Sequence, residues 1–143
     1  MAITVKKITL WRREIDDRAG ALATVLAPLA DAGADLEIVM GYRHAGDATK
    51  AAIEVFPVSG KKPTAAAQAA GLSAAGIPTL LVQGDDRPGL GHAFAKAVAE
   101  AGINMNFLVA LVRKRKYSSV IGFDSESDAA KAAALIKKAA KKK

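Results

Sequence analysis

The chain has 143 residues, with 21 Lys and Arg against 14 Asp and Glu, a formal net charge of +7, two histidines and no cysteine. This composition excludes disulfides, thiol catalysis and zinc-thiolate or histidine-rich metal sites. No stretch reaches the roughly 20 apolar residues of a membrane span, and the first residues lack the apolar core of a signal peptide. We therefore expect a soluble, cytoplasmic protein that uses no metal and no cofactor.

The first half of the chain reads as strand, helix, strand, strand and helix, at residues 4–13, 19–32, 35–42, 51–55 and 63–75. The first helix places Leu22, Leu26, Leu29 and Ala30 on one face. It ends at Gly33, because glycine readily adopts the left-handed conformation that closes helices. In the next strand Leu36, Ile38, Met40 and Tyr42 alternate with other residues, which predicts one face toward a core. Pro63 is expected to open the last helix.

The second half repeats this order, at residues 79–84, 88–101, 105–111, 117–123 and 125–140. Its first helix presents Leu90, Phe94, Ala97, Val98 and Ala101 to a core. It ends at Gly102, which matches Gly33. Ser125, three residues before Asp128, is a suitable cap for the last helix. The two halves therefore share an element order and a pattern of buried residues.

A phrase of 22 residues occurs twice, as DDRAGALATVLAPLADAGADLE at 16–37 and DDRPGLGHAFAKAVAEAGINMN at 85–106, with an offset of 69 residues. Duplication at this spacing predicts two domains, residues 1–75 and residues 76–143. The first carries 9 basic and 8 acidic side chains, net +1, and the second carries 12 and 6, net +6. Most of the excess positive charge of the second domain lies in residues 113–116 and in a basic C-terminal tail. Both are either solvated ends or contacts with nucleic acid or anionic lipid.

Two helices on one face of a small antiparallel sheet predict an α+β, ferredoxin-like fold for each half. A strand ending in Asp-Arg-Pro-Gly-Leu, an amphipathic helix, Ala-Gly-Ile-Asn-Met and a hairpin resemble the ACT domain, a βαββαβ regulatory module found with amino-acid-metabolising enzymes. Residues 78–124 match well, and residues 8–57 match less closely, with Ala19 in place of the proline of the motif. The resemblance implies a tandem ACT-type repeat without a catalytic domain. A fourth strand, which completes an ACT unit, has no clear counterpart in either half.

The loop before each repeated helix has chemistry suited to an amino acid. Gly89 allows backbone and ligand to approach closely, and the first-turn amides that follow it lack intrahelical partners, which suits a carboxylate. Asp86 at the rim of the same loop can hold an ammonium group. Asn104 and Asn106 in the following strand extend the polar surface. The alternative is a purely structural use of the phrase, since it is also good turn and helix-start chemistry.

In ACT domains the effector commonly lies between two units, in contact with the loop before the helix of one and the start of the second strand of the other. The resemblance therefore implies as ligand-binding residues Asp86, Arg87, Gly89, Leu90, Asn104 and Asn106, with Asp17, Gly20, Leu22 and Asp35 as first-half equivalents. The second half is the better candidate, because Asn104 both donates and accepts whereas Asp35 would crowd Asp17 with like charge. Arg18 and Arg87 either bind an anionic ligand group or pair with a neighbouring aspartate.

The sequence thus predicts a non-catalytic regulatory or sensor protein that binds a small ligand, a free amino acid, at interfaces between ACT-like domains. We expect no enzyme, because no nucleophile, base and orienting residue can be assembled from the motifs. The expected partners are the amino acid and a second copy in a homodimer, with a regulated enzyme or transcription partner and no membrane.

Two alternatives stay open. One is a regulatory subunit of a separate metabolic enzyme, and the other is a nucleic-acid-associated protein that uses the basic second half. Nucleic acid is the weaker partner, because aromatic residues form only 5% of the chain, and RNA-binding sheets of this shape stack bases on exposed aromatics.

Overall fold

The computed structural model describes residues 3–142, and within them the chain forms eight strands and four helices. The strands are β1 (Ile3–Ile8), β2 (Trp11–Asp16), β3 (Ile38–His44), β4 (Asp47–Phe56), β5 (Ser73–Ala74), β6 (Thr79–Asp85), β7 (Met105–Arg113) and β8 (Lys116–Phe123). The helices are α1 (Ala21–Asp31), α2 (Lys61–Ala69), α3 (Leu90–Glu100) and α4 (Glu126–Ala140). Two antiparallel four-stranded sheets result, in the orders β1-β6-β8-β7 and β3-β4-β2-β5. The predicted α+β, ferredoxin-like fold is confirmed.

The chain divides into two compact units. Residues 9–76 form one, called here the continuous unit, and residues 3–8 join residues 77–142 in the other, the split unit. The division after Gly76 lies one residue from the predicted one, but the N-terminal strand leaves the first half. The single strand predicted at 4–13 breaks at Thr9 and Leu10, so β1 pairs with β6 and β2 pairs with β4.

β1 and β5 supply the fourth strands that the sequence left unassigned. β1 runs antiparallel to β6, with Ile3 opposite Gly84 and Ile8 opposite Thr79. β5 pairs with the first residues of β2. It forms because α2 stops at Ala69, short of the predicted end at 75. Gly71, at φ +81°, turns the chain there, and the following residues join the sheet. α2 also starts two residues before Pro63.

The core of each unit lies between its helices and its sheet. On α3 the buried residues are Leu90, Phe94 and Val98, as predicted, whereas Ala97 is half-buried and Ala101, also predicted to face the core, is exposed. On α1 they are Ala21, Val25 and Leu29, whereas Leu22 is 41% exposed and Ala30 is exposed. The predicted face of α1 was therefore wrong at Leu22 and Ala30. The true stripe follows i, i+4 and i+8 spacing and matches that of α3 at the offset of 69 residues.

Within β3 the residues that face the helices are the set alternate to the predicted one, although Leu36, which precedes the strand, packs against the core as predicted. Gly41 lies opposite Ile53 and Val39 opposite Val55, and both partners belong to the core under the helices. Paired residues share a face, so the alternate set, which includes Tyr42, points away from the helices. In β7 Leu108 likewise lies opposite the core residue Ile121, whereas Met105, which precedes the bulge, packs against the same core. Alternation identifies the two faces of a strand without saying which is inside when both are apolar.

Candidate functional site

The loops that precede α1 and α3 have the same backbone shape, as the repeat predicted. Gly20 and Gly89 cap the helices in the left-handed conformation, at φ +85° and +81°, and neither helix start has a side-chain cap. The first amide of each helix, of Ala21 or Leu90, donates to the arginine carbonyl three residues earlier, at 3.3 or 3.2 Å. The next amides have no carbonyl partner within the helix and lie at the positive end of its dipole. Both loops therefore offer donors suited to a carboxylate.

Asp86 and Asn104 present unengaged side chains. The Asp86 amide donates to the Arg115 carbonyl at 2.9 Å, which ties the loop to the β7–β8 hairpin. Across residues 3–142 no hydrogen bond or ion pair engages the carboxylate of Asp86 or the amide group of Asn104. Asn106 differs, because its Nδ2 donates to Asp124 Oδ1 at 3.2 Å.

The structure does not bring Asp86 and Asn104 together within the split unit. β7 ends with Arg113 opposite Lys116, and Lys116 also pairs with Asp85, so the far end of β7 lies near the Asp86 loop. Asn104 precedes the first residue of β7 and lies roughly 30 Å from Arg113 along the strand, at about 3.3 Å per residue. Asp17 and Asp35 are separated in the same way in the continuous unit.

Two of the predicted site residues serve the fold. Arg87 Nη2 donates to the carbonyl of Ala139 in the last turn of α4, at 3.2 Å, where a cation stabilises the negative end of the helix dipole. The Leu90 side chain is 1% exposed within the core of the split unit. Only the backbone amide of Leu90 therefore faces the loop.

The corresponding residues of the continuous unit are arranged differently. Arg43 Nε donates to Asp17 Oδ2 at 2.5 Å. Arg13, on β2, caps α2 by donating to the Ala70 carbonyl at 2.9 Å, so the capping role of Arg87 does not fall to Arg18. The exposed Arg18 guanidinium forms no hydrogen bond or ion pair within the described part of the chain.

An open cavity of ≈350 Å³ lies beneath the first turn of α1, inside the continuous unit. Charged residues from the loop and from β3 stand at its exposed rim, namely Asp17, Arg18 and Arg43; its apolar lining includes Ile15, Ala21, Leu22, Ala51 and Ile53, with Gly41 leaving space. This volume falls within the range of about 300–1,000 Å³ typical of small-molecule sites. The cavity was not predicted from the sequence, although the small residues at 21, 41 and 51 are the sequence feature that leaves room for it.

A second polar group not foreseen from the sequence lies across β2, β3 and β4. Tyr42 Oη donates to Glu54 Oε2 at 2.7 Å, while Glu54 is fully buried and its Oε1 has no partner in the described residues. Arg12 contacts Glu14 Oε1 and His44 Nε2, each at 3.4 Å. Burial, followed by the hydrogen bond to Glu54, raises the pKa of Tyr42. Both effects favour the protonated phenol, which is the form that donates to Glu54.

Between residues 3 and 142, no helix combines the length and the apolar character that a bilayer span requires. Nor does that part of the chain gather three or more His, Asp or Glu side chains in a metal-binding cluster.

No model of a known protein family and no curated protein sequence matches the chain, but solved structures do. A protein from Bacteroides thetaiotaomicron superposes with a TM-score of 0.71 at 14% identity, over 94% of this chain and 90% of that one. The ligand-free regulatory subunit of aspartate kinase from Thermus thermophilus gives 0.62 at 18%, over 96% and 95%. Aspartokinase III from E. coli, in complex with aspartate and ADP, gives 0.59 at 11%, over 96% and 33%. At these identities the likeness shows the fold alone.

Proposed function

We propose that this chain, which has the tandem ACT-type fold, is a non-catalytic regulatory protein that binds a free amino acid. Each unit acts as one ACT-like domain. The regulatory subunit from Thermus thermophilus resembles the chain over 95% of its own length, which supports a regulator separate from any catalytic chain. A cytoplasmic metabolic enzyme is the partner that this neighbour favours.

The observation that carries the proposal is the pairing of an uncapped helix start with an unengaged carboxylate. At Gly89 the first-turn amides suit the carboxylate of an amino acid, and Asp86 suits its ammonium group. Asn104, whose amide group is also unengaged, offers a further donor and acceptor.

Because Asp86 and Asn104 lie at opposite ends of the sheet of the split unit, one ligand reaches both only by bridging two copies of the chain. The ligand then adds binding free energy to the associated state alone, and the population shifts toward that state. The proposed mechanism is therefore ligand-linked homodimerisation.

A thermal-shift screen of the full chain against the twenty amino acids tests the proposal. One or a few amino acids raise the melting temperature, and the rise disappears in Asp86→Asn and Asn104→Ala. Asp31→Asn, an exposed carboxylate on α1, is the matched control and keeps the response. A short nucleic acid, at low and physiological salt, covers the alternative partner. A salt-sensitive shift with nucleic acid and none with any amino acid would refute the amino-acid proposal.

A further inference from the structure

We propose that the cavity beneath α1 is a binding site for a small carboxylate with an apolar body. Under the proposed function, on which the identity of the head group rests, this ligand is an α-amino acid with an apolar side chain. The site lies wholly inside the continuous unit, so it is separate from the site that bridges two copies.

Equivalent positions of the two units explain why this space is open in the continuous unit. Ile15 and Gly84 occupy equivalent positions in β2 and β6, and their partners in the register are Ala51 and Tyr117. Ala51 therefore occupies the place of Tyr117. In the helices, the offset of 69 residues sets Ala21 against Leu90 and Val25 against Phe94.

In the split unit the chain fills this space with its own side chains. Leu90, Phe94 and Tyr117 are all buried, and the rings of Phe94 and Tyr117 meet edge to face with centroids 5.5 Å apart. The Tyr117 hydroxyl reaches the first turn of α3, where it stands 4.0 Å from the position of a Cβ on Gly91.

In the continuous unit the smaller side chains leave the space open. Relative to Leu90 and Tyr117, Ala21 and Ala51 lack an isopropyl group and a hydroxyphenyl ring, and a Cβ added to Gly41 would meet nothing within 4 Å. Ile15, which replaces Gly84, lines the space that remains. The lining stays apolar, although interiors of proteins are normally close-packed. A ligand side chain of aliphatic or phenyl size restores the packing that Leu90 and Tyr117 provide in the split unit.

The rim of the cavity selects the head group of the ligand. In the split unit Arg87 donates to a carbonyl at the end of α4. In the continuous unit Arg13, and not Arg18, makes the corresponding hydrogen bond at the end of α2. Arg18 therefore has no hydrogen bond or ion pair in the described residues. A guanidinium binds a carboxylate through paired hydrogen bonds. Asp17, whose side chain is 28% exposed beside Arg43, is positioned to receive an ammonium group.

Isothermal titration calorimetry on the full chain tests this site with leucine, aspartate and 4-methylpentanoate, which keeps the apolar body and carboxylate of leucine without its ammonium group. We expect leucine to bind and aspartate to bind at least tenfold more weakly. Ala21→Leu fills the cavity as Leu90 does and weakens leucine binding at least tenfold. Ala23→Leu, on the exposed side of the same helix turn, is the matched control and leaves binding unchanged.

Arg18→Ala is the second variant, since an exposed side chain is removed without disturbing the core; it also weakens leucine binding. Leucine binding that survives both Ala21→Leu and Arg18→Ala but disappears in Asp86→Asn overturns this inference and leaves the proposed function standing. If 4-methylpentanoate binds, Ala21→Leu weakens that binding and no amino acid binds, the cavity is a carboxylate site and the proposed amino-acid function is overturned. Absence of binding by all three compounds overturns the site.

Discussion

Lys114 and Arg115 close the β7–β8 hairpin with φ of +49° and +64°. Left-handed backbone costs most side chains about 1–2 kcal/mol each, and two-residue hairpin turns of this shape favour Asn-Gly. Replacing Lys114 by Asn together with Arg115 by Gly is expected to raise the free energy of unfolding by about 1 kcal/mol, measured by urea denaturation. The same exchange at Lys137 and Lys138, inside α4, should lower stability. If the variant with Asn at 114 and Gly at 115 is no more stable than the parent, the positive φ angles of Lys114 and Arg115 cost no stability.

Gly122 on β8 lies under the ring of Phe107, its partner on β7. A Cβ at this position would overlap the ring, so Gly122→Ala forces Phe107 out of place. Overpacking of this kind costs about 1–3 kcal/mol, to be measured as a lower urea midpoint. Gly76→Ala, where a Cβ meets open space and φ is not positive, should change stability by less than about 0.5 kcal/mol. Equal effects at the two glycines would contradict the packing assigned to Phe107.

Residues whose role is local were predictable from the sequence. Gly33 and Gly102 end their helices as predicted, because glycine readily adopts the left-handed conformation. Gly20 and Gly89, predicted to lie inside the first turn, are instead the caps that precede α1 and α3. Leu22 was misjudged, since apolar character at a position does not reveal which side of a helix the sheet covers. Ala21 and Ala51 were not predicted as cavity residues, because an alanine leaves a cavity only where its neighbours in the fold do not fill the space, and those neighbours are distant in the sequence.

The pair formed by Tyr42 on β3 and Glu54 on β4 links two elements through a buried carboxylate. Tyr42→Phe removes the only donor recorded for Glu54 in the described residues, and loss of such a partner costs about 1–3 kcal/mol. Urea denaturation at neutral pH should show this decrease. Full stability of the Tyr42→Phe variant would mean that Glu54 finds another donor.

The raised pKa of Tyr42 also gives this pair a pH dependence. As pH rises past the ordinary tyrosine value of 10.0, the unfolded chain loses the phenol proton before the folded chain does. The stabilisation from Tyr42 is therefore complete below the unfolded pKa and is lost as pH rises through the folded pKa. The difference in stability between the parent and Tyr42→Phe should shrink over that interval, which a urea series at increasing alkaline pH will measure.

At the scale of elements, helix ends were foreseen better than strand partners. α1 and α3 end, as predicted, at Gly33 and Gly102, each at positive φ and each followed by a residue whose amide donates to the carbonyl five positions earlier, which is local chemistry. α2 ends in the same way at Gly71, although its predicted end was residue 75. The partner of β1 lies more than seventy residues away along the chain. Pairing over that distance depends on which edge is vacant, and no short stretch of sequence records it.

At the scale of the whole molecule, β7 is an edge strand with apolar residues exposed on both faces. Leu108, Val109, Leu111 and Val112 have between 43% and 61% of their surface exposed. Long apolar edges of this kind pair with other chains unless they are protected. We expect Val109→Lys with Leu111→Lys to shift the proposed dimer toward monomer in sedimentation velocity. Thr4→Lys, on the opposite edge of the same sheet, is the control; an equal shift there would exclude β7 as the contact.

The interrupted layout of the split unit sets an order of events during biosynthesis. Ile8 and its partner Thr79 are separated by 71 residues, so at about 5–20 residues per second β1 waits roughly 4–14 s on the ribosome for β6. All of residues 9–76 are synthesised during that delay. The continuous unit is therefore complete before the split unit. Until β6 emerges from the ribosome, β1 remains unpaired and accessible to proteases and chaperones.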